Sequence, residues 1–159
     1  DALVQCMLAY AVRCFYEKAL QTSTKHKLLA QLAVKVSAEY KAAAGRMQEA
    51  VLTKNGMDKW MSSWSDYLDL ESSFFLAQAH VHAGDADEAD CHPGKQRIHM
   101  TSATKIIERV YAASNASKGG GKLLKLHRPD MLRFVTQMKS KLTNLEKDIN
   151  DMVYGHVAR

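Results

Sequence analysis

Lys25-His26-Lys27-Leu28-Leu29-Ala30-Gln31-Leu32-Ala33-Val34-Lys35-Val36-Ser37-Ala38-Glu39-Tyr40 is the stretch that decides the fold. Leu28, Leu29, Leu32, Val36 and Tyr40 recur every three or four residues, and Ala43, Met47 and Val51 carry the rhythm on. That period lays apolar side chains along one face of an α-helix, whereas a strand would need alternation every second residue. The spacing predicts a long helix over 25–53, stopped by Asn55-Gly56, a pair suited to the left-handed conformation that ends helices.

Four more helices follow from the same reading. The first covers 2–20, with Val4, Met7, Leu8, Ala11, Val12, Phe15 and Ala19 on one broad face. The third covers 58–82, with Asp58 as N-cap and Trp60, Trp64, Leu68, Phe75, Leu76 and Ala79 along it. The fourth runs over 95–114 with Ile98, Ala103, Ile106, Ile107, Val110 and Tyr111, entered through His92-Pro93-Gly94. The fifth runs over 129–152, with Pro129 in its first turn and Leu132, Val135, Met138, Leu142, Leu145 and Ile149 in register. Small and acidic residues make 83–94 an internal loop, and Gly119-Gly120-Gly121 makes 115–127 a second one. The expected class is all-α, with antiparallel helical hairpins stacked in a solenoid or bundle. No repeat of constant period is visible, so a regular tetratricopeptide array is not expected.

At 159 residues, 47% of them apolar, the chain can bury one core and is short for two, so a single domain or part of one is expected. It begins at Asp1 inside an apolar periodic segment, which reads as a piece of something longer. No apolar run approaches the roughly 18 residues of a membrane span, and no signal-peptide pattern opens the chain, so a soluble cytoplasmic protein is expected. The net charge of +5 comes from Lys and Arg scattered among 17 acidic residues rather than massed, which argues against a nucleic-acid partner and favours encounter with acidic proteins or anionic lipid. Cys6, Cys14 and Cys91 lack Cys-x-x-Cys spacing, so neither a disulfide framework nor a structural zinc site is expected of them.

Several constellations invite chemistry and fail on spacing. Gly119-Gly120-Gly121-Lys122 lacks the upstream Gly, the following Ser or Thr and the preceding strand of a phosphate loop, and reads as a linker. His80, His82, Asp85, Asp87, Asp90, Cys91 and His92 crowd one region but match neither an EF-hand nor a His-x-x-x-His zinc pair, so a solvated acidic loop is expected there. Cys14 sits in a helical apolar context without an evident base. No enzyme, cofactor or metal is expected. What remains is an excess of apolar residues on long helices, Phe15, Leu28, Leu32, Trp60, Trp64, Phe74 and Phe75 among them. Such helices offer a groove for an amphipathic partner helix.

Two blocks carry a resemblance: Met7-Leu8-Ala9-Tyr10-Ala11-Val12-Arg13-Cys14-Phe15-Tyr16-Glu17-Lys18-Ala19 near the start, and Lys147-Asp148-Ile149-Asn150-Asp151-Met152-Val153-Tyr154 near the end. Together with Lys27 to Tyr40 and Phe75-Leu76-Ala77-Gln78-Ala79-His80, they resemble the C-terminal half of the Bro domain of Alix-like, ESCRT-associated adaptors. The resemblance implies a helical body about twice this length, with residues 1–159 as its C-terminal half and an N-terminal half of the same domain as a partner. It implies an interaction module that binds the amphipathic C-terminal helix of an ESCRT-III subunit, in endosomal sorting, multivesicular body formation or membrane remodelling. Cytoplasmic, endosome-associated localisation with peripheral membrane association goes with that reading. Carried over position by position, the partner-helix patch falls on Phe15, Leu28 and Leu32, and a regulatory tyrosine falls on Tyr154. Leu28 and Leu32 lie one turn apart on the same helical face. Gly155-His156 lacks the Pro expected after the tyrosine, and Gly94-Lys95-Gln96-Arg97-Ile98-His99-Met100 replaces an acidic block of the family, which marks a divergent member. The rival expectation is a structural helical scaffold in a larger assembly, with no free groove.

Overall fold

The computed structural model describes residues 2–22, 24–53, 59–116 and 122–154, the side chains of 59–62, 114–116, 122–131 and 153–154 excepted. Five helices follow one another: α1 (Ala2–Gln21), α2 (His26–Thr53), α3 (Lys59–Ala89), α4 (Pro93–Ala116) and α5 (Lys122–Tyr154). No strand occurs among the described residues. Extensive packing joins consecutive helices, α1 to α2, α2 to α3, α3 to α4 and α4 to α5, so the chain is a stack of antiparallel hairpins. No helix among the described residues is long and apolar enough to cross a membrane.

Helix α3 is the centre of the stack because it is apolar on two sides. One side joins a core of Tyr16, Leu29, Val36, Tyr40, Met47, Leu68 and Phe75 with α1 and α2. The other joins Ala77 and Val81 to Met100, Ile107, Val135 and Met138 of α4 and α5. Phe74 packs against both cores and meets Phe134 at a ring-centroid distance of 5.5 Å. Fully buried Ala33, Ala43, Ala77 and Ala103 stand at the helix crossings, where a small side chain lets backbones approach. Small hydroxyls serve the same contact: Ser72 Oγ donates to the Ser37 carbonyl at 2.9 Å, and Ser65 Oγ to that of Ala44 at 3.1 Å.

Three expectations need correction. The acidic stretch 83–89 is helix rather than loop. Its carboxylates stand near the C-terminal end of α3, where the helix dipole disfavours them, but neighbouring elements supply partners. Asp85 faces Lys141 at 3.4 Å and His26 at 3.9 Å, Asp87 faces His99 at 3.6 Å, and Asp90 faces Lys27 at 2.8 Å. Tertiary pairing overrides weak local propensity here. Gly84 is not a helix breaker either: a Cβ there would come within 2.9 Å of the Met100 side chain, so its bareness lets α3 and α4 approach. The true turn is confined to Asp90–His92. The His92 N–H donates to the Asp87 carbonyl at 2.8 Å and the Cys91 N–H to that of Glu88 at 3.0 Å, the paired bonds of a Schellman motif. Cys91 fills the left-handed position at φ 58° where glycine is usual. His92 accepts from Gln96 N–H at 3.0 Å, and Pro93 takes the first helical position, where its missing N–H matters least.

The second loop is also shorter than expected. Helix α5 begins at Lys122, ahead of Pro129, because Lys122-Leu123-Leu124-Lys125-Leu126 are strong helix formers. The third correction concerns α1. It buries Ala9 and Tyr16 and packs Ala2, Cys6, Val12 and Ala19 beside them, while Val4, Met7, Leu8 and Phe15 of the expected face are exposed. Asn55-Gly56 and Asp58 lie outside the described residues.

Candidate partner-binding surface

The α1–α2 hairpin owes its register to a few polar bonds around an apolar seam. Gln5 Nε2 donates to Glu39 Oε2 at 2.7 Å across the hairpin, and Glu39 is also paired with Lys35, whose hydrogen bond keeps its carboxyl below the usual range. In an antiparallel pair this register brings Val12 level with Leu32, and Phe15 level with Leu28 and Leu29. Leu29 is buried, Leu32 is partly buried against the core, and Phe15 and Leu28 are 68% and 47% exposed. On that register the three residues expected from the resemblance fall toward the same edge of the α1–α2 hairpin, Leu32 more buried than the other two. Leu8 and Val4 extend the apolar surface along α1, one and two turns further on from Val12. Tyr154 is the last residue of α5, and its side chain lies outside the described residues.

A buried polar knot anchors α1 behind this seam. Glu71 of α3, 4% exposed, accepts from Tyr67 Oη at 2.8 Å and from Arg13 Nη1 at 3.4 Å. Arg13 also reaches Glu17 at 2.7 Å and lies over the Phe75 ring, 5.5 Å from its centroid. Burial tends to lower the Arg13 pKa, but Glu17, Tyr40 and Glu71 outweigh it, so the guanidinium is held more firmly charged than usual. Burial, with Glu71 adding to it, pushes the Tyr67 phenol well up, so Tyr67 remains a proton donor to the carboxylate.

The opposite flank of α1 borders a groove that the sequence reading did not single out. It encloses about 560 Å³ and is lined by Leu3, Met7 and Tyr10 of α1, Tyr40 and Met47 of α2, and Trp64 and Tyr67 of α3. Leu3, Met7 and Tyr10 fall at i, i+4 and i+7, a second apolar stripe beside the Val4-Leu8-Phe15 one. That spacing is the signal by which it could have been found. Leu3, Met7 and Tyr10 are each more than half exposed.

The chain is similar to three curated proteins over nearly all of its length. It is 26% identical over 151 residues to the tyrosine-protein phosphatase non-receptor type 23 of Rattus norvegicus, a match that takes in 95% of this chain and 10% of that protein. It is 28% identical over 155 residues to the pH-response regulator protein RIM20 of Yarrowia lipolytica, covering 93% of this chain and 18% of the relative. With the pH-response regulator protein palA/prr-1 of Neurospora crassa the identity is 26% over 159 residues, 99% of this chain and 17% of the other. The chain thus spans less than a fifth of each of these relatives. No solved structure gives a significant match. A model of the BRO1-like domain matches residues 1–158, nearly every position of the five-helix stack, and the chain belongs to that family.

Proposed function

We propose that this chain is a protein-interaction module that captures the amphipathic C-terminal helix of an ESCRT-III subunit on the outer seam of α1 and α2. The observation that carries the reading is Phe15, 68% exposed beside Leu28, over a half-buried Leu32 on a hairpin of a BRO1-like domain. A large aromatic flanked by leucines on a rigid helical pair is suited to anchor an apolar helix face, each anchor contributing about 2 kcal/mol or more when desolvated. Exposed Lys18 and Lys25 at the turn end of the hairpin, and the net charge of +5, favour an acidic partner helix. On this reading the protein works at endosomes and budding membranes, as a cytoplasmic adaptor with peripheral membrane association. Residues 1–159 then form the C-terminal half of a longer Bro domain, and a regulatory role for Tyr154 belongs to the same reading.

A second reading rests on the other flank of α1. Leu3, Met7 and Tyr10 line an apolar groove, and helices of the same parent protein seated there would make this half a fixed scaffold. The two readings use different faces of α1 and are separable. A fluorescent ESCRT-III C-terminal helix, and a version with its apolar positions changed to serine, are titrated against the folded protein. The adaptor reading expects micromolar binding of the first and none of the second. Equal binding of both, or of neither, would leave the scaffold.

A further inference from the structure

The end of α3 that reads as a solvated acidic loop in sequence holds a different arrangement in the fold. His26, the first residue of α2, comes against His82 and Asp85 of α3, and one ligand atom from each lies within 4.8 Å of the others. His82 is only 7% exposed. Its Nε2 is engaged with the Tyr16 hydroxyl at 2.8 Å, which leaves Nδ1 as its ligand atom, and that nitrogen is buried with no hydrogen-bond partner. Asp85 divides its two oxygens: Oδ1 faces Lys141 Nζ at 3.4 Å, while Oδ2 faces His26 Nδ1 at 3.9 Å.

We propose that His26, His82 and Asp85 form a binding site for a divalent transition-metal ion of the zinc class. Two imidazoles and one carboxylate are a donor set that such ions prefer, with a fourth position left for water. An orphaned buried nitrogen is costly, and a metal ion satisfies it in the way a hydrogen bond otherwise would. An ion on Nδ1 requires the proton on Nε2, and the Tyr16 oxygen at 2.8 Å is placed to accept it and to hold the ring in orientation. Burial is the main cause that lowers the His82 pKa, with His26 and Lys141 adding to it and Asp85 opposing, so the ring stays neutral and able to ligate near neutral pH. Lys141 can remain on Oδ1 while Oδ2 turns to the ion. Tetrahedral ligand atoms stand about 3.4 Å apart at ordinary zinc distances, so the cluster needs only side-chain rotation to close. His26 is half exposed and free to supply that movement.

The neighbouring pair gives a contrast. His80 Nδ1 and His99 Nδ1 bond to each other at 3.0 Å, and Asp87 faces the other nitrogen of His99, so those groups satisfy one another without an ion. Closing the first site would tie the α1–α2 turn to the C-terminal end of α3, and through Lys141 to α5.

The test uses Zn²⁺ and Co²⁺ with the chelator-treated protein. Zn²⁺ binding is followed by calorimetry and thermal melting, and Co²⁺ by the visible absorption of four-coordinate cobalt. Binding should raise the melting temperature, and His26→Ala and Asp85→Asn should each weaken it by more than about tenfold, with helix content retained. His99→Ala should leave it unchanged. No binding by the folded protein at micromolar metal overturns the proposal. Binding that survives both His26→Ala and Asp85→Asn overturns it equally, since the ion would then sit elsewhere.

Discussion

Replacing Arg13 with alanine separates the charge holding α1 in place from the apolar seam around it. Glu71 is 4% exposed and accepts from the Arg13 guanidinium at 3.4 Å and the Tyr67 hydroxyl at 2.8 Å. Arg13→Ala takes the guanidinium away from a buried carboxylate that keeps its Tyr67 bond. Breaking a buried pair from one side typically costs 3–5 kcal/mol, and the surviving Tyr67 bond and the 27% exposure of the Arg13 side chain place this one at the low end, about 3 kcal/mol. Loss of the contact over Phe75 adds about 0.5 kcal/mol. For a chain of this size, this corresponds to a melting temperature lower by roughly 10 °C. The decisive arm is the double variant. If the penalty is an uncompensated charge, Arg13→Ala with Glu71→Gln recovers about 1–2 kcal/mol relative to Arg13→Ala alone, because a neutral amide tolerates burial better. Urea unfolding of wild type, Arg13→Ala, Glu71→Gln and the double variant, followed by circular dichroism, gives the numbers. An Arg13→Ala protein within about 0.5 kcal/mol of wild type, or a double variant less stable than Arg13→Ala, would mean that the guanidinium does not compensate the Glu71 charge.

Two further outcomes follow from the α3–α4 corner. Cys91→Gly relieves a non-glycine residue of its left-handed backbone at φ 58° and is expected to stabilise the protein by about 0.5–1 kcal/mol in the same urea assay; a destabilised variant would mean that the thiol makes a contact worth more than the strain. His82 and His80 both have pKa values lowered from 6.5, chiefly by burial. The unfolded chain therefore binds more protons than the native one between the folded values and 6.5, and stability rises with pH in that window. Stability is full above about 6.5 and is lost as pH falls through the folded values. Melting in chelator between pH 7.5 and 5 should show that loss, and His82→Gln should flatten it; an unchanged slope in the variant would remove His82 as a cause.

The existence and order of the helices are legible in the sequence because each keeps a 3.6-residue apolar rhythm over several turns, as Leu28 to Val51 does. Their ends are legible only where the stop is local. Asp85, Asp87 and Asp90 look like loop residues until Lys141, His99 and Lys27 are brought opposite them, and none of those partners is a sequence neighbour. Gly84 looks like a breaker until Met100 is packed against it. The inner face of α1 is misread for a related reason. Apolar residues stand on more than one side of that helix, so periodicity does not distinguish the buried Ala9 and Tyr16 from the exposed Val4, Leu8 and Phe15. The same holds for His26, which a search of the 80–92 region for metal ligands never reaches, because it arrives from the start of a different helix. Phe15, Leu28 and Leu32 come from the family resemblance, and periodicity alone singles out only the Leu28–Leu32 pair.

The face of α1 that receives the partner helix separates an adaptor seam from a scaffold groove. The affinity of a labelled ESCRT-III C-terminal helix should be compared for wild type, Leu28→Asp and Tyr10→Asp, all checked for retained helix content. Capture on the outer seam predicts that Leu28→Asp weakens binding by more than about tenfold, while Tyr10→Asp, on the opposite flank, leaves it within about threefold of wild type. Loss of binding in Tyr10→Asp with Leu28→Asp unaffected would contradict the account and move the site to the Leu3, Met7 and Trp64 groove.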